Sequence, residues 1–250
     1  MRVVICDDAL SLGRYAAAET AAALAAAQGP EGRARLVLAT GQSQFETLAE
    51  LVRRPVAWER VDVFHLDEYV GLSADHPASF RRYLKERVAD LVPATMHYLD
   101  PSSPEQPRAL GQLLTTRPAD VALVGVGENG HIAFNDPPAD LETTEPYIEV
   151  SLDSRCRAQQ VGEGWFARLE DVPERAVTMS VRTIMSARKI VSAVPHNAKA
   201  EAVAKLLAAT KPTPEVPATA LLAHPDTTLV LDRASSRLLP PATWARCIVL

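Results

Sequence analysis

Short, almost continuous apolar runs recur along this chain, and each is followed by a longer stretch of helical character. Residues 3–6, 36–39, 61–66 and 120–124 read as strands, with later ones at 176–181, 190–194 and 227–231. Residues 11–27 are rich in alanine, the best helix former, and Gly29-Pro30 is a stop signal. Further helices are expected over 44–54, ending before Pro55, and from 80 to about 91 with Ser79 as a cap. Another follows the turn-rich 101–107 as far as 114, and one more covers 197–209. Strands alternating with helices predict βαβ units, hence an α/β fold whose parallel sheet is covered on both faces. Near-continuous apolar strands fit burial on both sides. No repeat or long linker divides the chain, so one domain over 1–250 is expected, with 211–217 as a mobile-loop candidate.

Composition narrows the function. Apolar residues make up 47% and charged residues 23% of the 250, which excludes a disordered or fibrous chain. The net charge of −5 gives no global field for nucleic acid or an anionic membrane. No stretch approaches the roughly 18 apolar residues of a spanning helix, and the first residues hold no secretory core. Cys6, Cys156 and Cys247 are too few and scattered for a disulfide framework or a zinc site. A reduced, cytoplasmic protein is therefore expected. An anionic ligand would have to be met by a local device.

In an open α/β sheet, ligands bind beyond the carboxyl ends of the strands, and three such junctions are unusually polar. Thr40-Gly41-Gln42-Ser43-Gln44 joins a strand to a helix. Its backbone N–H groups and hydroxyls suit a phosphate; equally, it reads as a plain turn with Ser43 as N-cap. Asp67-Glu68-Tyr69-Val70-Gly71-Leu72 sets two acids directly after an apolar strand. Either a carboxylate there is a general base with a raised pKa, or this is a solvated strand end with a helix cap. Gly125-Val126-Gly127-Glu128-Asn129-Gly130-His131 continues through Ile132-Ala133-Phe134-Asn135-Asp136-Pro137. Its glycines let backbone approach a ligand, and its carboxyl and amide groups could fix the tautomer of His131.

The second and third junctions together resemble the glucosamine-6-phosphate deaminase (isomerase) family, relatives of the 6-phosphogluconolactonases. Asp67-Glu68-Tyr69-Val70-Gly71-Leu72 with His76-Pro77-x-Ser79, and Gly130-His131-Ile132-Ala133-Phe134-Asn135-Asp136-Pro137, carry the likeness. Ala39-Thr40-Gly41, residues 172–185 and His224-Pro225 add to it, so that it runs over nearly the whole chain. It implies a Rossmann-like three-layer α/β/α sandwich with a mostly parallel central sheet. The ligand implied is a small sugar phosphate, with no cofactor or metal and room for a homo-oligomer. In the family reaction an aldose 2-amino-2-deoxy-6-phosphate opens its ring, loses the C2 proton to form an enolamine, and sheds ammonia to give the ketose phosphate. By resemblance Asp67 removes the C2 proton, with Glu68 beside it as a second candidate carboxylate. His131 handles the ring oxygen, and Asp136 supports that histidine. Thr40, Gly41, Gln42 and Ser43 form the phosphate loop. Lys199 matches the phosphate lysine, although by itself it reads as an exposed helix charge.

The sequence departs from the family in three places. Asn129 stands where an aspartate is expected, so the countercharge for an imidazolium must come from elsewhere, Glu128 and Asp136 being candidates. Asp136 replaces a glutamate and is shorter by roughly 1.5 Å, about one C–C bond. An arginine expected near Gly162-Glu163 is absent, with Arg155 or Arg157 as substitutes. A divergent member is implied. A lactonase on the same scaffold would read Gly-His-x-Ala-Ser-Leu-Phe-Pro where this chain has Phe134-Asn135-Asp136-Pro137 after Ala133. A non-catalytic sugar-phosphate sensor would carry a DNA-binding segment, and no spare basic helix-turn-helix is present. No His/Cys/Asp set has metal-ligand spacing, and the reaction needs a base and a proton relay rather than a Lewis acid.

Overall fold

The first βα unit shows how local sequence sets the frame of this computed structural model, which describes residues 1–29 and 32–250. β1 (Arg2–Cys6) leads to Asp8, whose carboxylate accepts the Ser11 N–H at 2.7 Å. The Ser11 hydroxyl accepts the Asp8 N–H at 3.1 Å, closing a capping box at the start of α1 (Ala9–Gln28). α1 ends at Gly29 as expected; Pro30, the other half of that stop signal, lies outside the described residues.

The main sheet is built from β1, β2 (Ala34–Leu38), β3 (Val61–His65), β5 (Thr95–His97), β6 (Val121–Val124), β9 (Lys189–Val194), β10 (Thr227–Asp232) and β11 (Ile248–Val249). Its spatial order is β11-β1-β10-β9-β6-β2-β3-β5, and every pair is parallel. Alternate residues feed two separate cores. Val4, Leu36, Leu38, Val63, Leu123 and Val191 pack under α1, α2 (Phe45–Leu51) and α3 (Phe80–Leu84). Ile5, Val37, Phe64, Val124, Ile190 and Leu231 pack under α4 (Glu105–Thr116), α6 (Val181–Met185) and α7 (Ala200–Ala208). This is the expected three-layer α/β/α sandwich.

A second sheet lies beyond the strand ends. β4 (Asp67–Tyr69), β8 (Arg175–Met179) and β7 (Tyr147–Ser151) pair antiparallel in the order β4-β8-β7. The expected strand at 176–181 is thus real over 175–179, but it belongs here and not to the parallel sheet. A third apolar cluster of Tyr69, Phe80, Phe134, Cys156 and Phe166 fills the space between this sheet and α5 (Ser154–Gly162). α8 (Pro241–Trp244) packs Trp244 on the second core near the end of the chain.

Two expected elements differ in detail. The helix from residue 80 is α-helical only to Leu84 and continues as a π-helical turn over Lys85–Ala89. The segment 211–217 is held rather than free: Ala139 N–H donates to the Pro214 carbonyl at 3.0 Å, and just past the segment Ala218 N–H donates to the Gly130 carbonyl at 2.9 Å. Among the described residues no helix is long and apolar enough to cross a membrane.

Candidate active site

β9, β6 and β2 are neighbours in the sheet, so the turns after their carboxyl ends converge. The turn at 39–44 follows β2, the glycine-rich turn at 125–131 follows β6, and the turn ending in Lys199 follows β9. β3 runs on into β4 and brings Asp67 to the same place. Together they surround a cleft whose wall includes Thr40, Gly41, Ser43, Asp67, His131 and Lys199. Gln42 and Asn129 line a wider opening just outside it, with Arg155.

Asp67 is 5% exposed, and no hydrogen-bond donor among the described residues reaches its carboxylate. Burial, and then the charge of Glu68, push its pKa up to about 8. Nearby His65 is held neutral, its pKa pushed down to about 3 by burial and then by Arg81.

On the facing turn, His131 rests its ring against Gly127, where an added Cβ would stand 2.2 Å from the imidazole. Only glycine permits that approach. Nδ1 of His131 lies 3.0 Å from Oδ1 of Asp136, off the line of a well-aligned N–H···O bond but within ion-pair distance. Asn129 Nδ2 donates to the same Asp136 oxygen at 3.0 Å, and Asn129 Oδ1 accepts the His131 N–H at 3.0 Å. The other Asp136 oxygen accepts the Asp153 N–H at 3.1 Å. Burial raises the pKa of Asp136, but His131, Asn129 and the Asp153 N–H together lower it below the ordinary value. Of the two candidate countercharges, Asp136 is the one at ion-pair distance from His131. No ion pair joins Glu128 to His131 among the described residues, and the Glu128 backbone N–H donates to Gln159 Oε1 at 3.2 Å.

Glu68 corrects the sequence expectation of a second catalytic carboxylate. It points away from the cleft, as the two-residue period of a strand requires, and is fully buried. It accepts from Ser79 Oγ (2.7 Å) and from the N–H groups of Tyr69 (2.9 Å), Arg81 (2.9 Å) and Phe80 (3.3 Å), with the Arg81 guanidinium 3.4 Å away. Glu68 thus caps α3 in place of Ser79, whose hydroxyl is spent on Glu68. Ser43 likewise caps nothing; α2 begins after a 3-10 turn over Gln42–Gln44. The Gly41 carbonyl accepts from Tyr83 Oη at 2.9 Å, and φ of +97° at Gly41 turns the loop toward the cleft.

Lys199 is not the exposed helix charge that its position alone suggests. It is 5% exposed, lines the cleft, and lies 3.9 Å from Glu163. Neither proposed arginine substitute joins it. Arg157 donates to the carbonyls of Leu169 and Val172, and Arg155 stays in the outer opening.

α5 supplies wall residues that the sequence did not single out: Gln159, Gln160 and, just after it, Glu163. Tyr69 Oη donates to Gln160 Oε1 at 2.9 Å, leaving the Gln160 amide nitrogen for the cleft. The pattern that could have revealed them is a polar helix flanked by Trp165 and Phe166. Cys156, also on α5, comes within 4.8 Å of the donor atoms of His131 and Asp136, a grouping no linear spacing announced. Its thiol is held well above its ordinary pKa by burial and by Asp136.

The family described as Glucosamine-6-phosphate isomerases/6-phosphogluconolactonase matches residues 7–230. The chain belongs to this family. It is 37% identical over 215 residues to a glucosamine-6-phosphate deaminase of Exiguobacterium sp. strain AT1b, covering 84% of this chain and 83% of the relative. It is 31% identical over 246 residues to the deaminase of Lactobacillus delbrueckii subsp. bulgaricus, covering 96% and 100%. A solved glucosamine-6-phosphate deaminase, described as monomeric, superposes with a TM-score of 0.85 at 30% identity, over 95% of this chain and all of that one. A 6-phosphogluconolactonase from Trypanosoma brucei superposes with a TM-score of 0.74 at 17% identity, covering 96% and 98%, a likeness of fold alone.

Proposed function

We propose that this chain converts a hexosamine 6-phosphate and water into a ketose 6-phosphate and ammonia. The carrying observation is Asp67, a buried carboxyl with no donor, on the cleft wall with His131 and its Asp136 countercharge. A carboxylate without donors and with a raised pKa is a competent base at neutral pH. In this reading His131 moves the proton between the ring oxygen and the 1-hydroxyl as the ring opens. Asp67 then takes the C2 proton and returns it to C1 of the enolamine. The imine that results adds water at C2 and releases ammonia. Lys199 and the Thr40–Ser43 turn meet the phosphate. The relatives at 30–37% identity carry the deaminase name, which favours this reading over lactone hydrolysis. The three free thiols suit a reducing cytoplasm, and the ligand is a small molecule, not nucleic acid or membrane.

The test is release of ammonia and ketose phosphate over a panel of hexosamine 6-phosphates, with 6-phosphogluconolactone alongside. Ammonia from at least one hexosamine 6-phosphate is expected. Lactone hydrolysis with no ammonia from any amino sugar would replace this reading with the lactonase one.

A further inference from the structure

The anion end of the cleft holds a cation and a carboxylate side by side. The Lys199 ammonium is nine-tenths buried and makes no hydrogen bond among the described residues; the nearest carboxylate oxygen, Glu163 Oε1, is 3.9 Å away. Glu163 is a fixed part of the wall. Its Oε1 accepts from Gln159 Nε2 at 2.7 Å and its Oε2 from Trp165 Nε1 at 3.1 Å. The Trp165 indole is held edge-on by Phe45 and Tyr83, at centroid distances of 6.2 and 6.1 Å. The Gln42 side-chain amide donates to the Glu163 carbonyl. Glu163 Oε2 stands 4.0 Å from where a Cβ on Gly41 would lie, so it borders the same turn that faces the ligand.

An ionised carboxylate offers only lone pairs. The dianion of a phosphate monoester offers only lone pairs too, and two such groups repel strongly where water is thin. A phosphate monoanion retains one O–H, which a carboxylate can accept in a charge-assisted bond. We infer that Glu163 is a specificity-determining residue that accepts the O–H of a singly protonated phosphate while Lys199 pairs with its negative oxygen. The inference rests on the reading of this cleft as a sugar-phosphate site, and it adds the charge state in which the phosphate is taken.

The surrounding charges agree. Glu163 is faced by Lys199 from the turn after β9, by Tyr83 from α3 and by Tyr69 from β4, and Lys199 also feels Glu128 from the turn after β6. Arg155 and Lys205 lie further out in the wider opening. The tyrosines are neutral, so one inner cation answers two carboxylates. A second negative charge on the ligand would be unopposed.

Binding of methyl phosphate, which keeps an O–H only as its monoanion, and of sulfate to the whole protein, by titration calorimetry on the acid side of neutral, tests this without turnover. Sulfate carries no proton there and is expected to bind about tenfold to a hundredfold more weakly than methyl phosphate, the worth of a hydrogen bond to a charged group. Methyl phosphate affinity should fall as pH rises through its second ionisation, and for a sugar phosphate KM should climb above pH about 6. Glu163→Gln should erase the preference over sulfate and flatten the pH dependence. Glu163→Asp, which keeps the acceptor, should retain part of both. Equal binding of the two anions by the wild type, no binding of either, or an unchanged preference in Glu163→Gln would overturn the inference. Phosphate selectivity that behaves as expected without ammonia from any hexosamine 6-phosphate would instead overturn the proposed reaction and leave this assignment standing.

Discussion

Asp67 and Asp136 are the same residue type, one buried and the other partly buried, on two turns that face one cleft, and the fold treats them oppositely. Asp136 receives Asn129 Nδ2 and the Asp153 N–H and sits beside His131, and it titrates below the ordinary aspartate value. Asp67 receives no donor, and burial lifts it to about 8. Burial raises both, and at Asp136 the donors and His131 reverse its effect. The difference separates two jobs. A carboxylate satisfied by donors holds a permanent negative charge and is a poor base; one starved of donors takes a proton readily.

Removing the starved carboxylate should have the largest effect. Asp67→Asn is nearly isosteric but cannot accept a proton, and kcat should fall about 10²–10⁴-fold, the usual worth of a general base. Exchange of the C2 hydrogen with deuterated water, followed by NMR, should vanish while ring opening persists. In the wild type, kcat at saturating substrate should rise with pH along a limb centred near 8, not near the ordinary carboxylate value. Stability should move the other way. Below about pH 4 Asp67 is protonated in both states. Between there and pH 8 the unfolded chain has released a proton that the native protein still binds, so stability falls as pH rises, until native Asp67 ionises too. Asp67→Asn should flatten that decline in thermal melts. Normal C2 exchange by this variant would assign the base elsewhere.

The satisfied carboxylate can be unbalanced from its neighbour. Asn129→Asp keeps the acceptor for the His131 N–H but replaces the donor to Asp136 with a second carboxylate about 3 Å away. Like charges that close cannot both stay ionised, and one pKa rises. Asp136 then becomes a weaker countercharge, and ring opening should slow, by less than the roughly 10²–10⁴-fold that loss of the whole general acid–base group costs. C2 exchange on an open-chain analogue should be untouched. Faster ring opening in this variant would show that His131 gains more from added negative charge than Asp136 loses.

The fold was legible because burial on both faces leaves continuous apolar strands, which survive in one dimension. The small antiparallel sheet was not, because Asp67-Glu68-Tyr69 is three residues long and two are acids. The site was legible where one stretch of chain carries it, as from Gly125 to Asp136. It was hidden where partners meet across the fold. Gln160 and Glu163 lie about a hundred residues from Tyr69 and more than a hundred from Gly41, on a polar helix that reads as a solvated face. Arg157 looked free in the sequence, yet its guanidinium is taken by two carbonyls.

Glu68 gives the sharpest form of the comparison, since it adjoins Asp67 and shares its burial while facing the other way. Its four donors come from its own neighbour, Tyr69, and from residues 79–81, and they fix the start of α3 behind the cleft. Glu68→Gln keeps the shape but turns one acceptor into an amide that faces donors. The loss should be about 2–3 kcal/mol of stability, a hydrogen bond to a charged group and the mismatch it leaves. Because Asp67 feels the Glu68 charge as its second influence after burial, the acid limb of kcat should also shift to lower pH. Activity at its plateau should hardly change. A chemical denaturation curve and a pH–rate profile on the same variant separate the roles: lower stability with a downshifted limb and an intact plateau marks a cap that tunes its neighbour. A collapsed kcat at every pH in a folded Glu68→Gln protein would mark Glu68 as a participant in the chemistry.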